Sequence, residues 1–219
     1  VWNFFLKTET PKACLPVAAI PTIAASGSEM SNSCVITNED GWLKRGSVKS
    51  DLCRPRFALL NPRLTYSLPQ YQTESGCVDI LMHTMERYFV NIETMEITDS
   101  ISESLMQTVI YNARILMKEP GNYNARAEVM WAGSLSHNGL TGCGTGGGDW
   151  ACHQLQHELG GLYDVAHGAG LAAVWGSWAR YVYQENPERF AQFATNVFDI
   201  PCYSDFESTA LAGIEAMEY

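Results

Sequence analysis

Histidine is scarce in this chain of 219 residues, which contains only five. Basic residues are also few: 14 Lys and Arg stand against 24 Asp and Glu, for a formal charge of −10. That balance argues against nucleic acid or an anionic membrane surface as the main partner. No apolar run approaches the ~20 residues that a membrane helix needs. No basic stretch followed by an apolar core opens the chain, so no signal peptide is expected. The seven cysteines are scattered and no two form a C-x-x-C pair. Such a set suits reduced thiols and a cytoplasmic setting better than a disulfide framework. Internal repeats and low-complexity tracts are missing as well. Neither "VWNFFLKTET" nor "TALAGIEAMEY" carries a clear start or stop signal, which suggests a segment of a longer chain.

What is present is a globular composition, 46% hydrophobic and 17% charged, enough for one large or two smaller domains. Residues 1–66 read as strand and loop. "CLPVAAIPTIA" is a buried-strand candidate, followed by the small-residue turn "ASGSEMSNS". "SCVITNEDGWLKRGSV" has two β-rich arms around Asp40-Gly41, a hairpin signal, and "RFALLNPRLTYSLP" reads as one more strand running into turns. The period changes near Pro69. Val78, Leu81, Met82, Met85 and Tyr88 recur at helical spacing. "TDSISESLMQTVIYNARILMKE" is a second amphipathic helix with Asp99 or Ser100 placed to cap it. Further helices are expected over "YNARAEVMWAGSLSHNGL", the histidine-rich stretch, "AGLAAVWGSWARYVYQ", "NPERFAQFATNVF" and the C-terminal segment. The expected class is α+β and predominantly helical.

Three of the five histidines lie within "DWACHQLQHELGGLYDVAHGAG". His153 and His157 are four residues apart and so share one helix face. Asp79 and His83 repeat that spacing on an earlier helix, and His167 opens the next one. Two such pairs on facing helices can surround a divalent cation, and an imidazole-rich set suits Zn²⁺ or Fe²⁺ rather than Ca²⁺ or Mg²⁺. Spacing alone leaves both a metal site and hydrogen-bonded structural histidines open. His137 stands alone and reads as structural. Gln154 and Gln156 occupy the positions where the H-E-x-x-H motif and its inverse need glutamate; an amide cannot take a proton from metal-bound water. "GCGTGGGDW" lacks the lysine of a phosphate loop and reads as a helix–helix connection. "TIAASGSEMS" follows a strand candidate, and its amides either meet a nucleotide or form a tight turn. Trp150 and Trp175 suit either an apolar pocket wall or plain core.

In combination, "PTIAASGSEMSNSCVITNED", "RFALLNPRLTYSLPQYQTESGCVDILMHTMERYF" and "GDWACHQLQHELGGLYDVAHGAGLA" resemble the iron-containing (group III) alcohol dehydrogenases, in the butanol dehydrogenase and aldehyde reductase branch. The resemblance runs over nearly the whole chain. It implies that residues 1–68 are the remnant of an α/β dinucleotide-binding domain and 69–219 a helical metal-binding domain. It also implies that Asp79, His83, His153 and His167 bind Fe²⁺ or Zn²⁺, while His157 sits by the nicotinamide without ligating. Thr22, Ser26 and Ser28 match the loop that meets NAD(P)H; Asn32 and Lys44 match polar contacts after it, with Arg45 adjacent to Lys44. Glu29 matches a residue that holds the loop.

The implied reaction is hydride transfer between a nicotinamide and a small alcohol or aldehyde, in a protein that forms a homodimer at full length. The family's Gly-Gly-Gly-Ser turn for the pyrophosphate has no counterpart here, and family chains continue past Tyr219. The expectation is a fragment that keeps the metal site, lacks most of the cofactor site and is inactive by itself. Two other functions suit four ligands on helices. A metal-dependent hydrolase or lyase would turn over without nicotinamide; a non-catalytic metal-binding module would close all four positions.

Overall fold

The computed structural model describes residues 1–46, 50–92 and 95–219. A short helix, α1 (Trp2–Phe5), leads into four brief strands: β1 (Ala18–Ala19), β2 (Val35–Asn38), β3 (Leu43–Gly46) and β4 (Phe57–Ala58). Seven longer helices follow. They are α2 (Gln70–Tyr88), α3 (Glu96–Leu116), α4 (Tyr123–His137), α5 (Ala151–Tyr163), α6 (His167–Val182), α7 (Pro187–Phe198) and α8 (Phe206–Glu218). The molecule is predominantly helical, as the periodicity predicts.

The N-terminal segment is sparser than expected. Of "CLPVAAIPTIA", only Ala18–Ala19 pairs, in parallel with Phe57–Ala58, and most of the stretch is exposed instead of buried. Among the described residues, this two-residue ladder has no further strand beside it. The hairpin does form. β2 and β3 are antiparallel with Asn38 opposite Leu43, and the turn relies on left-handed backbone at Gly41 (φ 83°) and Trp42 (φ 53°). Its last two residues, 47 and 48, lie outside the described residues.

Caps explain several helix starts. The side chains of Asn122, Asn186 and Asp205 accept the amides of Ala125, Arg189 and Ser208 at the starts of α4, α7 and α8. α3 departs from expectation: it begins at Glu96 with no side-chain cap. Asp99 lies inside the helix and is held in a two-pronged pair by Arg189 at 2.5 and 2.6 Å. That pair ties α3 to α7, and Arg189 also lies over the Tyr88 ring.

α2 is the central element, packed against α3, α4 and α6. Ile80, Met82, Met85, Met106, Val109 and Leu171 form the core around it. α6 lies close on α2 because Gly168 has no side chain: a Cβ there would stand 1.8 Å from the Ser75 carbonyl oxygen. Gly161 does the same for the hairpin, since a Cβ would meet the Trp42 carbonyl oxygen at 2.5 Å. The first approach sets α6 on α2, and the second sets the hairpin on α5. Among the described residues, no helix is long and apolar enough to cross a membrane. All seven cysteines are free.

Candidate metal centre

A helix buried on every side is normally apolar, yet α2 buries Asp79, His83, Thr84, Glu86 and Arg87. Burying such groups costs free energy unless each finds a partner. Thr84 and Arg87 are accounted for. The Thr84 hydroxyl donates to the Ile80 carbonyl. Arg87 donates to the His83 and Ser136 carbonyls at 2.6 and 2.9 Å and to His137 Nδ1 at 3.0 Å, with Trp150 stacked on its guanidinium.

Asp79 is not accounted for. It is 3% exposed, and among the described residues its Oδ1 has no hydrogen-bond partner; nor do His83 Nδ1 and His153 Nε2. These orphaned atoms face one another. From Asp79 Oδ1 it is 3.4 Å to His83 Nδ1, 3.6 Å to His167 Nε2 and 3.9 Å to His153 Nε2. One ligand atom each from Asp79, His153 and His167 falls within 4.8 Å of the others. Ligands bound at about 2.1 Å in a tetrahedral site stand roughly 3.4 Å apart, so small movements would admit a cation. The donor set fits Fe²⁺ or Zn²⁺. His83 stands at the edge of this group, its ring centroid 4.0 Å from that of His137.

The electrostatics agree with the geometry. Burial pushes the Asp79 carboxyl up to about 7, against the pull of His153 and Lys44. Burial, reinforced by His153 and Lys44, presses His167 down to about 3 and His157 to about 4, and it holds His83 well below the ordinary range. Imidazoles that resist protonation keep lone pairs for a metal, and a buried carboxylate without a donor gains most from a cation.

His157, one turn after His153, lies outside the three-residue group. Its ring stacks on His167 with centroids 5.8 Å apart and sits against Gly46 of β3. Adjacent spacing on a helix therefore does not decide which histidines converge; the turn between α5 and α6, with Asp164 in left-handed backbone, brings His167 back beside His153.

The remaining candidates lie on several elements. Thr22, Ser26 and Ser28 are exposed on a loop that is anchored from beneath. Gly27 seats on the Gly133 carbonyl of α4, and buried Glu29 accepts from the Ser134 hydroxyl. Asn32 donates to Asp51 at 3.0 Å. Lys44 and Arg45 point to opposite faces of β3: Lys44 lies beside Gly160 and acts on the Asp79, His157 and His167 charges, while Arg45 pairs with exposed Glu158. His137 bonds Ser33 and Arg87 through its two nitrogens. Trp175 belongs to the core; Trp150 packs its ring edge-on to His153 and His83.

Two residues escape a search for ligands. Glu86 accepts from His153 Nδ1 at 2.9 Å, and the Gln156 carboxamide bonds His167 Nδ1. Both had a signal. Asp79, His83 and Glu86 follow the i, i+4, i+7 pattern of one helix face, and Gln156 sits one turn from His153. The glycine-rich stretch serves as the α4–α5 connection, with Gly144, Gly146, Gly147 and Gly148 all at positive φ and Gly148 against the Glu86 carbonyl.

Comparison with known proteins agrees with this architecture. Residues 73–219 match the model of the Fe-containing alcohol dehydrogenase family, C-terminal, and residues 1–62 that of iron-containing alcohol dehydrogenase. The NADH-dependent butanol dehydrogenase A of Clostridium acetobutylicum is 39% identical over 91% of this chain and 51% of its own length. The NADPH-dependent aldehyde reductase YqhD of Escherichia coli is 35% identical over 90% of this chain and 50% of its own length. A crystal structure of NADH-dependent butanol dehydrogenase A from Thermotoga maritima superposes with a TM-score of 0.95 at 38% identity, covering 99% of this chain and 54% of that one. The chain spans about half the length of the curated relatives it matches. It belongs to the iron-containing alcohol dehydrogenase family.

Proposed function

We propose that this chain forms the metal-binding and part of the cofactor-binding side of an NAD(P)H-dependent alcohol dehydrogenase or aldehyde reductase acting on small primary alcohols and aldehydes. The observation that carries the reading is the cluster of buried atoms without hydrogen-bond partners, Asp79 Oδ1, His153 Nε2 and His83 Nδ1. Asp79, His153 and His167 would hold Fe²⁺ or Zn²⁺, with His83 as a fourth ligand. The chemistry supplied there is Lewis-acid polarisation of an alcohol or carbonyl oxygen by the metal and hydride exchange by the nicotinamide.

The chain's own residues do the rest. Asp79 contributes the charge that balances a cation in an otherwise neutral imidazole shell. Trp150, in edge contact with His153 and His83, keeps water off that side. His157, held neutral at physiological pH by burial, would take or return the proton that accompanies hydride transfer. The exposed hydroxyls of Thr22, Ser26 and Ser28, followed by Asn32 and Lys44, meet the cofactor on a loop held by Glu29. Names of relatives that use NADH and NADPH both support a nicotinamide partner.

The test compares His153→Ala and His157→Ala by bound metal in this chain, and by NADH or NADPH oxidation with butanal in a protein of the relatives' full length that carries it. The first variant is expected to lose metal. The second is expected to retain most of its metal but to lose turnover. Equal metal loss in the two would overturn this division of roles.

A further inference from the structure

We infer that Glu86 is a positioning residue that fixes His153 as its Nδ1–H tautomer and so keeps the Nε2 lone pair facing Asp79. The consequence for metal binding rests on the proposed function; the tautomer is a property of the metal-free chain.

Glu86 is 3% exposed and lies seven residues after Asp79 on α2. Its Oε1 is 2.9 Å from two nitrogens of the same residue, the His153 main-chain N and the ring Nδ1. A carboxylate oxygen accepts and cannot donate, so the ring nitrogen must carry the hydrogen. The amide of His153, third residue of α5, is one of the four at a helix start without an intrahelical acceptor. Trp150, at the cap position, makes no side-chain hydrogen bond that caps α5. Glu86 therefore caps α5 from another helix, and the partial positive charge of that helix start favours its carboxylate.

The main chain of Glu86 completes the clamp. Its carbonyl accepts from Asp149 N at 3.0 Å, an approach open only because Gly148 has no Cβ, which would stand 2.7 Å away. Residues 148–153 are thus held on Glu86 at both ends, and this sets the position of His153 relative to Asp79. An imidazole in water prefers its hydrogen on Nε2. That form would turn an N–H toward Asp79 and leave no lone pair for a metal. Glu86 reverses the preference, the role of a carboxylate that orients a metal-ligating histidine.

Long-range ¹H–¹⁵N spectra of the histidine-labelled, metal-free chain at neutral pH test this, together with Co²⁺ titration. His153 is expected in the Nδ1–H form. Glu86→Gln keeps that form, because the His153 amide still holds an oxygen in place, and weakens Co²⁺ binding by a few-fold. Glu86→Leu shifts His153 to Nε2–H, leaves the spectrum of His137 unchanged and weakens Co²⁺ binding about 10- to 100-fold. An Nε2–H form in the parent chain overturns the inference. So does a Glu86→Leu chain with parental tautomer and affinity. Should Glu86→Leu not fold, the parent and Glu86→Gln spectra still decide. If the parent shows Nδ1–H but takes up no Co²⁺, the positioning stands and the metal reading falls.

Discussion

The helices after Gln70 and the segment before it differ in what they bury. α2 buries even its charged residues, with Asp79 and Glu86 both at 3% exposure. The N-terminal segment leaves apolar ones in the open: Leu15 is 84% exposed, Phe57 61% and Leu59 55%. The helical part encloses a site whose orphaned atoms point at one another, whereas the N-terminal part is a hairpin and a loop braced on that body at a few points. Under the proposed function, cation binding falls to the helices and nicotinamide contact to the exposed loop.

The sharpest way to break that comparison is Asp79→Ala. It removes the only carboxylate of the group and is expected to weaken Co²⁺ binding by more than about a hundredfold, beyond what outer partners contribute. It should not destabilise the metal-free chain, in which, among the described residues, the buried Oδ1 lacks a donor. Paired metal titration and thermal melts check both halves, and retained affinity would count against the site.

Next in size is a core contrast. Leu171→Ala, at a fully buried position, is expected to cost about 2–5 kcal/mol, and Leu59→Ala less than ~0.5 kcal/mol. Denaturant unfolding measures each; similar losses would mean that the N-terminal segment packs as tightly as the helices.

The pH dependence follows from the buried imidazoles. His167 and His157 sit near 3 and 4 when folded and at about 6.5 when unfolded. Their stability is present above about 6.5 and is lost as pH falls toward the folded values, because the unfolded chain takes protons that the folded chain refuses. Asp79, raised from 3.8 to about 7, works the other way, losing stability as pH rises over that span. Imidazoles outnumber the single carboxyl, with His83 also held low. The metal-free chain should therefore melt at a lower temperature at pH 5 than at pH 7; a flat profile would contradict the buried neutral histidines.

The smallest effect expected is in the loop. Thr22→Ala or Ser26→Ala should weaken nicotinamide binding by about 0.5–1.5 kcal/mol each and leave metal affinity untouched. Calorimetric titration with NADH and NADPH separates the two, and a change in metal affinity would join the regions that this account keeps apart.

Much of this was legible in the residues, and the gaps have physical causes. Helical periodicity marked α2, and Asp-Gly marked the hairpin, because both signals are local. Spacing favoured His153 with His157, since an i, i+4 rule sees only one helix; Asp79 and His167 converge on His153 through tertiary packing. The resemblance to a family, not the spacing, paired His153 with His167. Asp99 looked like a cap because its partner Arg189 is 90 residues away. Glu86 was visible as the third residue on the face of Asp79 and His83, but its target lay on another helix. The strand expected over Cys14–Ala24 shrank to two residues because only Phe57–Ala58 pairs with it.

The central claim is that Asp79, His153 and His167 converge on one cation. Anomalous diffraction at the metal edge from crystals of the Zn²⁺- or Fe²⁺-loaded protein tests it directly. The account predicts a single strong peak within bonding distance of Asp79 Oδ1, His153 Nε2 and His167 Nε2, with His157 outside that distance. A peak held by His157, or by groups away from Asp79, would contradict it.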